Sequence, residues 1–201
     1  MTVDSLLALA GIIMAAAWTP GPNNMMLAAS GVNYGLRATA AHILGVAFGF
    51  SFMIFTVALG LGNVFMRYPV LHEVLRWAGA ALLIWVAFKI ATAKRPGEAG
   101  AATKPFTFVQ AAAFQWINPK AWIMCISVTA QFLNPEKPLL GAAIIAGVAV
   151  LGGLTSATGW AWFGTLLARW LHTPTRLRAF NWTMAGIILV GVAVVVFGDL
   201  F

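Results

Sequence analysis

Residues 18–24 interrupt an apolar segment that would otherwise predict one continuous membrane-spanning helix. They read Trp-Thr-Pro-Gly-Pro-Asn-Asn, so two prolines and a glycine fall within three consecutive positions. Each proline removes a backbone donor and clashes with the turn before it, so a regular helix has to stop here. In hydrocarbon the freed carbonyl groups are tolerated only where protein or a polar cavity satisfies them. The break therefore predicts a polar place, lined by protein, at membrane depth.

A second break lies in the other half of the chain, at residues 116–121, which read Trp-Ile-Asn-Pro-Lys-Ala. Asn118 followed by Pro119 has the pattern of a helix start, with Asn as the capping residue and Pro at the first helical position. Lys120 then falls in the first turn of a new half-helix, near the middle of the membrane. Broken segments in corresponding positions of two halves are the best sequence indication of a transporter binding site.

The composition indicates a polytopic membrane protein. The 201 residues are 61% hydrophobic and only 8% charged, and the mean hydropathy is +0.89. These values lie outside the range of soluble domains. The net charge of +7 falls mostly between apolar runs, which indicates orientation in a lipid bilayer. We therefore expect no nucleic-acid partner.

The apolar runs predict an all-helical membrane protein with six transmembrane helices, of which the first and fourth are broken. Each run is near or above the roughly 20 residues that a span needs. Three runs in each half predict two inverted three-helix repeats, about 1–95 and 104–201, within a single transporter domain over 1–201. The six runs cover residues 5–30, 38–65, 72–92, 106–133, 139–168 and 179–199.

The basic residues predict that both the N-terminus and the C-terminus are periplasmic. In this orientation eight basic residues face the cytoplasm and three face outward, as the positive-inside rule requires. The outward ones are Arg67, Arg76 and Lys137. The cytoplasmic ones are Arg37, Lys89, Lys94, Arg95, Lys104, Arg169, Arg176 and Arg178.

The two breaks supply the candidate substrate-binding residues. The Lys120 ammonium, the free N–H groups and the positive end of the half-helix dipole together suit a carboxylate. The alternative is that Lys120 snorkels or bonds the loose carbonyl groups of the break, and so has only a structural role. Asn23 and Asn24 either contact substrate or recapture those groups, and Gly21 lets another backbone approach closely; a plain structural kink is the alternative for the whole first break. The candidates are Thr19, Pro20, Gly21, Pro22, Asn23, Asn24, Asn118, Pro119 and Lys120.

His42, early in the second apolar run, is a candidate proton relay because an imidazole titrates near neutral pH. The alternative is that it bonds a neighbouring helix or lies at the interface. No Asp or Glu lies well inside any run. The remaining candidates for a proton carrier are Lys120, a carboxylate near the end of a run such as Glu73, and the substrate itself. The sequence has no metal-ligand cluster, nucleophilic triad or phosphate loop, so we expect neither a metal nor a cofactor.

Gly45 and Gly49, in the second apolar run, form a small-xxx-small pattern that lets two helices pack closely. The pattern predicts helix packing within the membrane. The glycine-rich second run also permits a homodimer without requiring one.

Through the motifs of its two breaks, the sequence resembles the LysE/RhtB family of bacterial amino-acid exporters. The resemblance covers essentially the whole chain, and the combination of its two break motifs is specific. One departure is at residues 111–113, three alanines where the family often has a glycine. The matching positions are Pro-Gly-Pro-Asn with its preceding threonine at 19–23, Gly31, Gly-Leu-Arg at 35–37, Gly45, Gly49 and Asn-Pro-Lys-Ala at 118–121.

The resemblance implies a multi-pass inner-membrane exporter of amino acids or close derivatives, driven by the proton-motive force and acting as a transporter, not as an enzyme. Similar family members export threonine and homoserine, cysteine and O-acetylserine, or lysine or arginine. This chain has no intramembrane carboxylate to hold a cationic side chain. The absence favours small neutral amino acids as the substrates.

Two other classes of protein are alternatives to an exporter. A membrane-embedded enzyme or lipid-handling protein would need a catalytic group near an interface, and His172 among basic residues is the nearest candidate. An accessory subunit of a membrane complex is the other alternative. The two breaks disfavour a passive scaffold, because such a protein gains nothing from interrupted helices.

Overall fold

The computed structural model describes residues 1–61, 67–93, 104–171 and 173–197. Within these ranges all regular secondary structure is helical, which confirms the predicted all-helical class. Helix α3 continues directly into a π-helical turn, Val57–Leu61. The α-helices are α1 Val3–Trp18, α2 Pro22–Ala38, α3 Ala40–Thr56, α4 Pro69–Ala91, α5 Phe108–Gln115, α6 Pro119–Phe132, α7 Pro138–Ala168 and α8 Pro174–Phe197.

Prolines set the starts of most of these helices. The first N–H groups of a helix have no acceptor within it, so a proline at the first position loses no hydrogen bond. Helix α5 starts differently, with a capping box in which Thr107 and Gln110 bond each other's backbone N–H groups. The prolines that open helices are Pro22, Pro69, Pro119, Pro138 and Pro174.

Both predicted breaks interrupt helices in the structure. The first separates α1 from α2, and the chain bends by 57° between these two helices. The second separates α5, of 8 residues, from α6, of 14 residues, so neither is long enough to span a membrane alone. Among the described residues three helices are long and apolar enough to cross a membrane, Ala40–Leu61, Pro138–Ala168 and Pro174–Val194, and α1 with α2 counts as a fourth if the bent pair is one span. Six spans in two inverted repeats remain a prediction.

Several predicted features lie outside the described residues. These are the ends of the second and sixth apolar runs, at 62–65 and 198–199, and the part of the polar connection over 94–103 that contains Lys94 and Arg95. His172, the nearest candidate for a catalytic group, also lies outside them.

Helix α7 has the most extensive packing of the described helices. Helices α1, α2 and α3 all lie along it, while α4 packs on α8 and α5 packs on α3. The contact between α2 and α7 is backbone against backbone. A Cβ atom on Gly31 would lie 2.0 Å from the Ala161 carbonyl oxygen, and one on Gly164 would lie 2.0 Å from that of Ala28. Small residues permit this approach, which is the main source of helix association in lipid.

Gly45 and Gly49 are covered by α5 of the same chain. A Cβ atom on Gly45 would lie 2.4 Å from the Phe108 carbonyl oxygen, and one on Gly49 would lie 2.5 Å from the Cα atom of Ala112. This face of α3 therefore packs within the chain, and a second copy of the protein does not have access to it.

Gly164→Ala should lower the midpoint of thermal unfolding in detergent, because the added methyl group requires the backbone of α2 to move. Overpacking of this kind typically costs about 1–3 kcal/mol. Gly147→Ala, on the same helix, is the matched control. Nothing lies within 4 Å of a Cβ atom at Gly147, so this variant should be as stable as the parent or more stable. Equal stability of the two variants would contradict the close packing of α2 on α7.

Candidate functional site

The two breaks meet at one place, although nearly a hundred residues separate them in the sequence. The Lys120 Nζ atom donates a hydrogen bond of 2.6 Å to the Thr19 carbonyl oxygen. The same Nζ atom would lie only 3.3 Å from a Cβ atom on Gly21. Gly21 is thus approached by a lysine side chain, whereas the sequence predicted a close approach by backbone. The contact joins the first half of the chain to the second.

Each half-helix begins as its sequence predicts. At the second break Asn118 is the cap, and its Oδ1 atom accepts a hydrogen bond of 3.2 Å from the Lys120 backbone N–H. Pro119 takes the first helical position, which confirms the predicted start. At the first break Gly21 is the cap and Pro22 takes the first helical position.

Side chains satisfy the carbonyl groups that the first break leaves without helical partners. The Asn24 Nδ2 atom donates to the carbonyl oxygens of Ala17 and Thr19, both at 2.9 Å. The Ser156 hydroxyl, on α7, also donates to the Ala17 carbonyl, at 2.7 Å. Asn24 is only 6% exposed. Of the two roles predicted for Asn24, the structure shows the recapture of backbone groups.

Asn23 pairs with a residue from the other half of the chain. Its Nδ2 atom donates to Oε1 of Gln115 at 2.9 Å, and Nε2 of Gln115 donates back to Oδ1 of Asn23 at 3.3 Å. Gln115 is 1% exposed and also donates to the Ala111 carbonyl, at 2.8 Å. The sequence analysis missed Gln115, although an amide inside an apolar run was a usable signal. It also missed Ser156, for which a single serine in an apolar helix gives little signal.

A cavity of about 60 Å³ lies between the breaks. One water molecule needs about 10–15 Å³ of such space, so the cavity holds more than one. Most of the wall is apolar, and none of its described residues is a carboxylate. Of the predicted substrate-binding residues, Thr19, Pro20 and Pro119 are not part of the wall. The polar lining consists of Asn23, Asn24, Gln115, Asn118, Lys120 and Ser156, with Gly21 and Pro22 beside them.

The charge distribution in this cavity suits an anionic group. Lys120 supplies the only charged side chain of the described wall. The N-termini of α2 and α6 both open onto it through residues of their first turns. The first N–H groups of α2 have no acceptor within the helix, whereas in α6 the N–H groups of Lys120 and Ala121 already bond the side chain and the carbonyl of Asn118. Backbone donors, the positive ends of two helix dipoles and an ammonium group together form a typical site for a carboxylate.

His42 lies away from the breaks. It is 2% exposed and lines a second pocket of about 310 Å³, together with Asn33, Lys89 and Lys104. Its ring stacks at a tilt on Phe106, with 5.3 Å between the ring centroids. Neither ring nitrogen has a hydrogen-bond partner among the described residues, so the predicted alternative of a bond to a neighbouring helix is not seen there.

Nothing in the described part of the chain suggests a metal centre. Its histidine, cysteine, aspartate and glutamate side chains nowhere form a group of three or more that could hold an ion.

Two discontinuous helices that share a polar cavity at their breaks define a class, the helical membrane transporters whose substrate sites are formed by broken spans. The sequence comparison agrees with this class. The LysE type translocator family matches residues 14–199. The chain belongs to this family of LysE/RhtB exporters.

Named relatives of this chain are efflux proteins. A homoserine/homoserine lactone efflux protein of Salmonella typhi is 30% identical over 173 residues, which cover 81% of this chain and 82% of the relative. A cysteine/O-acetylserine efflux protein of Escherichia coli O1:K1 / APEC is 32% identical over 156 residues, covering 76% and 78%. No solved structure gave a significant match. The chain is thus similar to amino-acid exporters over most of its length.

Asn24→Leu should destabilise the folded protein in detergent, because it removes one hydrogen-bond donor from the Thr19 carbonyl and one from the Ala17 carbonyl. Both carbonyls keep one donor, from Lys120 and Ser156 respectively, so the expected cost is that of two lost hydrogen bonds, about 0.5–1.5 kcal/mol each. Ser156→Ala removes one donor from Ala17 only, so its effect should be smaller. Thermal unfolding followed by circular dichroism compares the two. If Ser156→Ala proves the more damaging variant, Asn24 is not what repairs the break.

Proposed function

We propose that this protein is a bacterial inner-membrane exporter of small neutral amino acids or close derivatives, such as threonine, homoserine, cysteine or O-acetylserine. The observation that carries the proposal is the position of Lys120, which joins the two breaks in a cavity whose described wall has no carboxylate. The names of the relatives support the substrate class.

The substrate carboxylate binds at Lys120 and the two half-helix N-termini. An ammonium group has three donors. One of the Lys120 donors is directed at the Thr19 carbonyl oxygen, which leaves two for a carboxylate in the cavity. First-turn N–H groups of α2 add charge-assisted hydrogen bonds, which are roughly twice as strong as neutral ones, and α6 adds the positive end of its dipole.

The rest of the substrate is recognised by amide and apolar groups. The side-chain amide oxygens of Asn23 and Gln115 are hydrogen-bond acceptors at the cavity, and they suit the substrate ammonium group. The apolar wall, which includes Val46, Phe50 and Met124, faces the substrate side chain. A lysine or arginine substrate would place a second cation there without a carboxylate to pair with it, at a large desolvation cost. This argues for neutral substrates.

Substrate binding is coupled to movement through Lys120. Its bond to the Thr19 carbonyl crosses from the second half of the chain to the first. A carboxylate that competes for the same ammonium weakens this link between the halves. The halves then rock against each other about the shared site, which is alternating access.

The packing of the helices supports two inverted repeats of three spans each. Helix α3 packs on α7 and α4 packs on α8, and each pair combines helices at the same position of the two halves. A two-fold axis between the halves would bring such pairs together.

Contacts at the two ends of the molecule support periplasmic termini. The Asn181 side chain donates to the Ala93 carbonyl at 3.2 Å, which brings the basic start of α8 to the end of α4 near Lys89. At the opposite end Arg76 donates to the carbonyl of Val196. The basic end is the cytoplasmic one by the positive-inside rule.

Lys120→Ala should abolish efflux of labelled L-homoserine and L-threonine from proteoliposomes, because the carboxylate loses its cation. Lys137→Ala is the matched control, since Lys137 is exposed just before α7, and it should export normally. Size-exclusion chromatography verifies that both variants are folded. Retained efflux in a folded Lys120→Ala protein would leave Lys120 with a structural role only. Faster export of lysine than of any neutral amino acid would contradict the proposed substrate class.

The proposed driving force is the proton-motive force, with His42 as the candidate relay because it is a buried imidazole inside a predicted span. An imposed pH gradient should stimulate efflux by the parent protein. His42→Gln should remove this stimulation and retain substrate exchange across vesicles at equal pH, because glutamine is polar and of similar size but does not titrate. Equal stimulation of the parent and the variant would exclude His42 as the proton carrier.

A further inference from the structure

The second pocket, which we call the inner vestibule, is the larger of the two polar spaces. Its volume is about 310 Å³, against about 60 Å³ for the break cavity. It lies between α2, α3, α4 and the segment that leads into α5. Its polar lining consists of Ser30, Asn33, Tyr34, His42, Lys89, Lys104 and Gln110.

Two buried side chains of the vestibule have polar atoms without partners. Both ring nitrogens of His42 lack a hydrogen-bond partner among the described residues, and so does Oδ1 of Asn33. His42 is 2% exposed and Asn33 is 8% exposed. The Nδ2 atom of Asn33 is used locally, since it donates to the Ala29 carbonyl at 2.7 Å. More than nine-tenths of buried polar groups in proteins are paired, so two unpaired groups in one pocket point to a ligand that completes them.

The charges of the vestibule suit a molecule with both an anionic and a cationic group. Lys89 and Lys104 are exposed side chains in its lining, and none of its described lining residues is a carboxylate. They attract an anionic group. Deeper in the pocket, Asn33 Oδ1 and the unprotonated nitrogen of a neutral His42 are acceptors that suit an ammonium group. A zwitterionic amino acid carries both groups.

The vestibule lies on the same helix faces as the break cavity. On α3, His42 lines the vestibule, and Val46 and Phe50, at successive four-residue steps, line the break cavity. Residues spaced by three and four lie on one face of a helix. The eight residues from His42 to Phe50 correspond to about 12 Å along the axis. On α2 the face runs through Asn23 in the break cavity, and then Met26, Ser30 and Asn33 in the vestibule.

We propose that the inner vestibule is a second amino-acid site, on the cytoplasmic side, which binds the zwitterionic substrate before it reaches Lys120. Buried Met26 and Val46 lie between the two sites and separate them. The cytoplasmic assignment follows from Lys89 and Lys104, which belong to the basic end of the protein. The inference rests on the proposed function, since it uses the same substrate class, but it concerns a different set of residues.

Thiol accessibility tests the vestibule, because Cys125 is the only cysteine of the chain and is fully buried. In a Cys125→Ala background, Ser30→Cys places a thiol in the vestibule, and Tyr34→Cys is a second position if the first variant does not fold. Leu44→Cys is the control, because Leu44 is 42% exposed on α3 but lines neither pocket. The variants are reconstituted in phosphatidylcholine nanodiscs, where both faces are accessible.

Each variant is treated with two thiosulfonate reagents, one that carries an anionic sulfonate group and one that carries a cationic trimethylammonium group. The rate of thiol modification by each reagent is normalised to its rate with a free thiol in solution. Ser30→Cys should react, and it should react about fivefold or more faster with the anionic reagent, as expected for two nearby cations acting through water. Lys89→Gln combined with Lys104→Gln should remove the preference. Leu44→Cys should react slowly with both reagents. No reaction at either vestibule position, or no anionic preference, would overturn the proposal.

The same variants test ligand binding. L-homoserine and L-threonine should slow modification of Ser30→Cys severalfold, and they should still do so when Lys120→Ala is added. The proposal is wrong if amino acids that the protein exports give no protection, if Lys120→Ala abolishes protection, or if only phosphatidylglycerol in the nanodisc protects, which would indicate a lipid headgroup site. If amino acids protect the Ser30→Cys thiol but the protein exports none of them, the proposed function is wrong and the vestibule is still an amino-acid site.

Discussion

Backbone groups that have no helical partner inside a membrane are the constraint on which the rest of this structure depends. Two apolar helices stop at the breaks, and hydrocarbon would offer no hydrogen-bond partner to the carbonyl groups left there. The structure meets this constraint with side chains from other helices. Asn24 and Ser156 bond the carbonyls of the first break, and Lys120 reaches across from the second break to Thr19. The bond from Lys120 to Thr19 thus ties the two breaks together.

The same arrangement explains why a site forms there. Groups that repair a break are polar, and they leave a polar cavity in an otherwise apolar core. Small residues let α7 approach α2 until their backbones touch, so the first break is held against α7, which carries Ser156. An ammonium group and two helix N-termini then lie in one protected space. Stability and the proposed carboxylate recognition thus depend on the same few side chains.

The sequence predicted the breaks, the cap at Asn118 and the helical class, because proline chemistry and hydropathy are local properties. It could not predict which residues meet across the halves. The pairing of Asn23 with Gln115 depends on how α2 and α5 are placed, and no pattern near either residue encodes that placement. Lys120 was predicted either to bind a ligand or to bond loose carbonyls, and the structure shows that it bonds Thr19 while it also lines the cavity.

The central claim is that the Lys120 ammonium binds the carboxylate of the exported amino acid. The most direct measurement compares efflux of L-homoserine with efflux of its carboxamide, in proteoliposomes that contain either the parent protein or Lys120→Ala. The account predicts that the parent exports the amino acid far faster than the amide, and that Lys120→Ala exports both equally slowly. The same preference for the carboxylate in both proteins would contradict the claim.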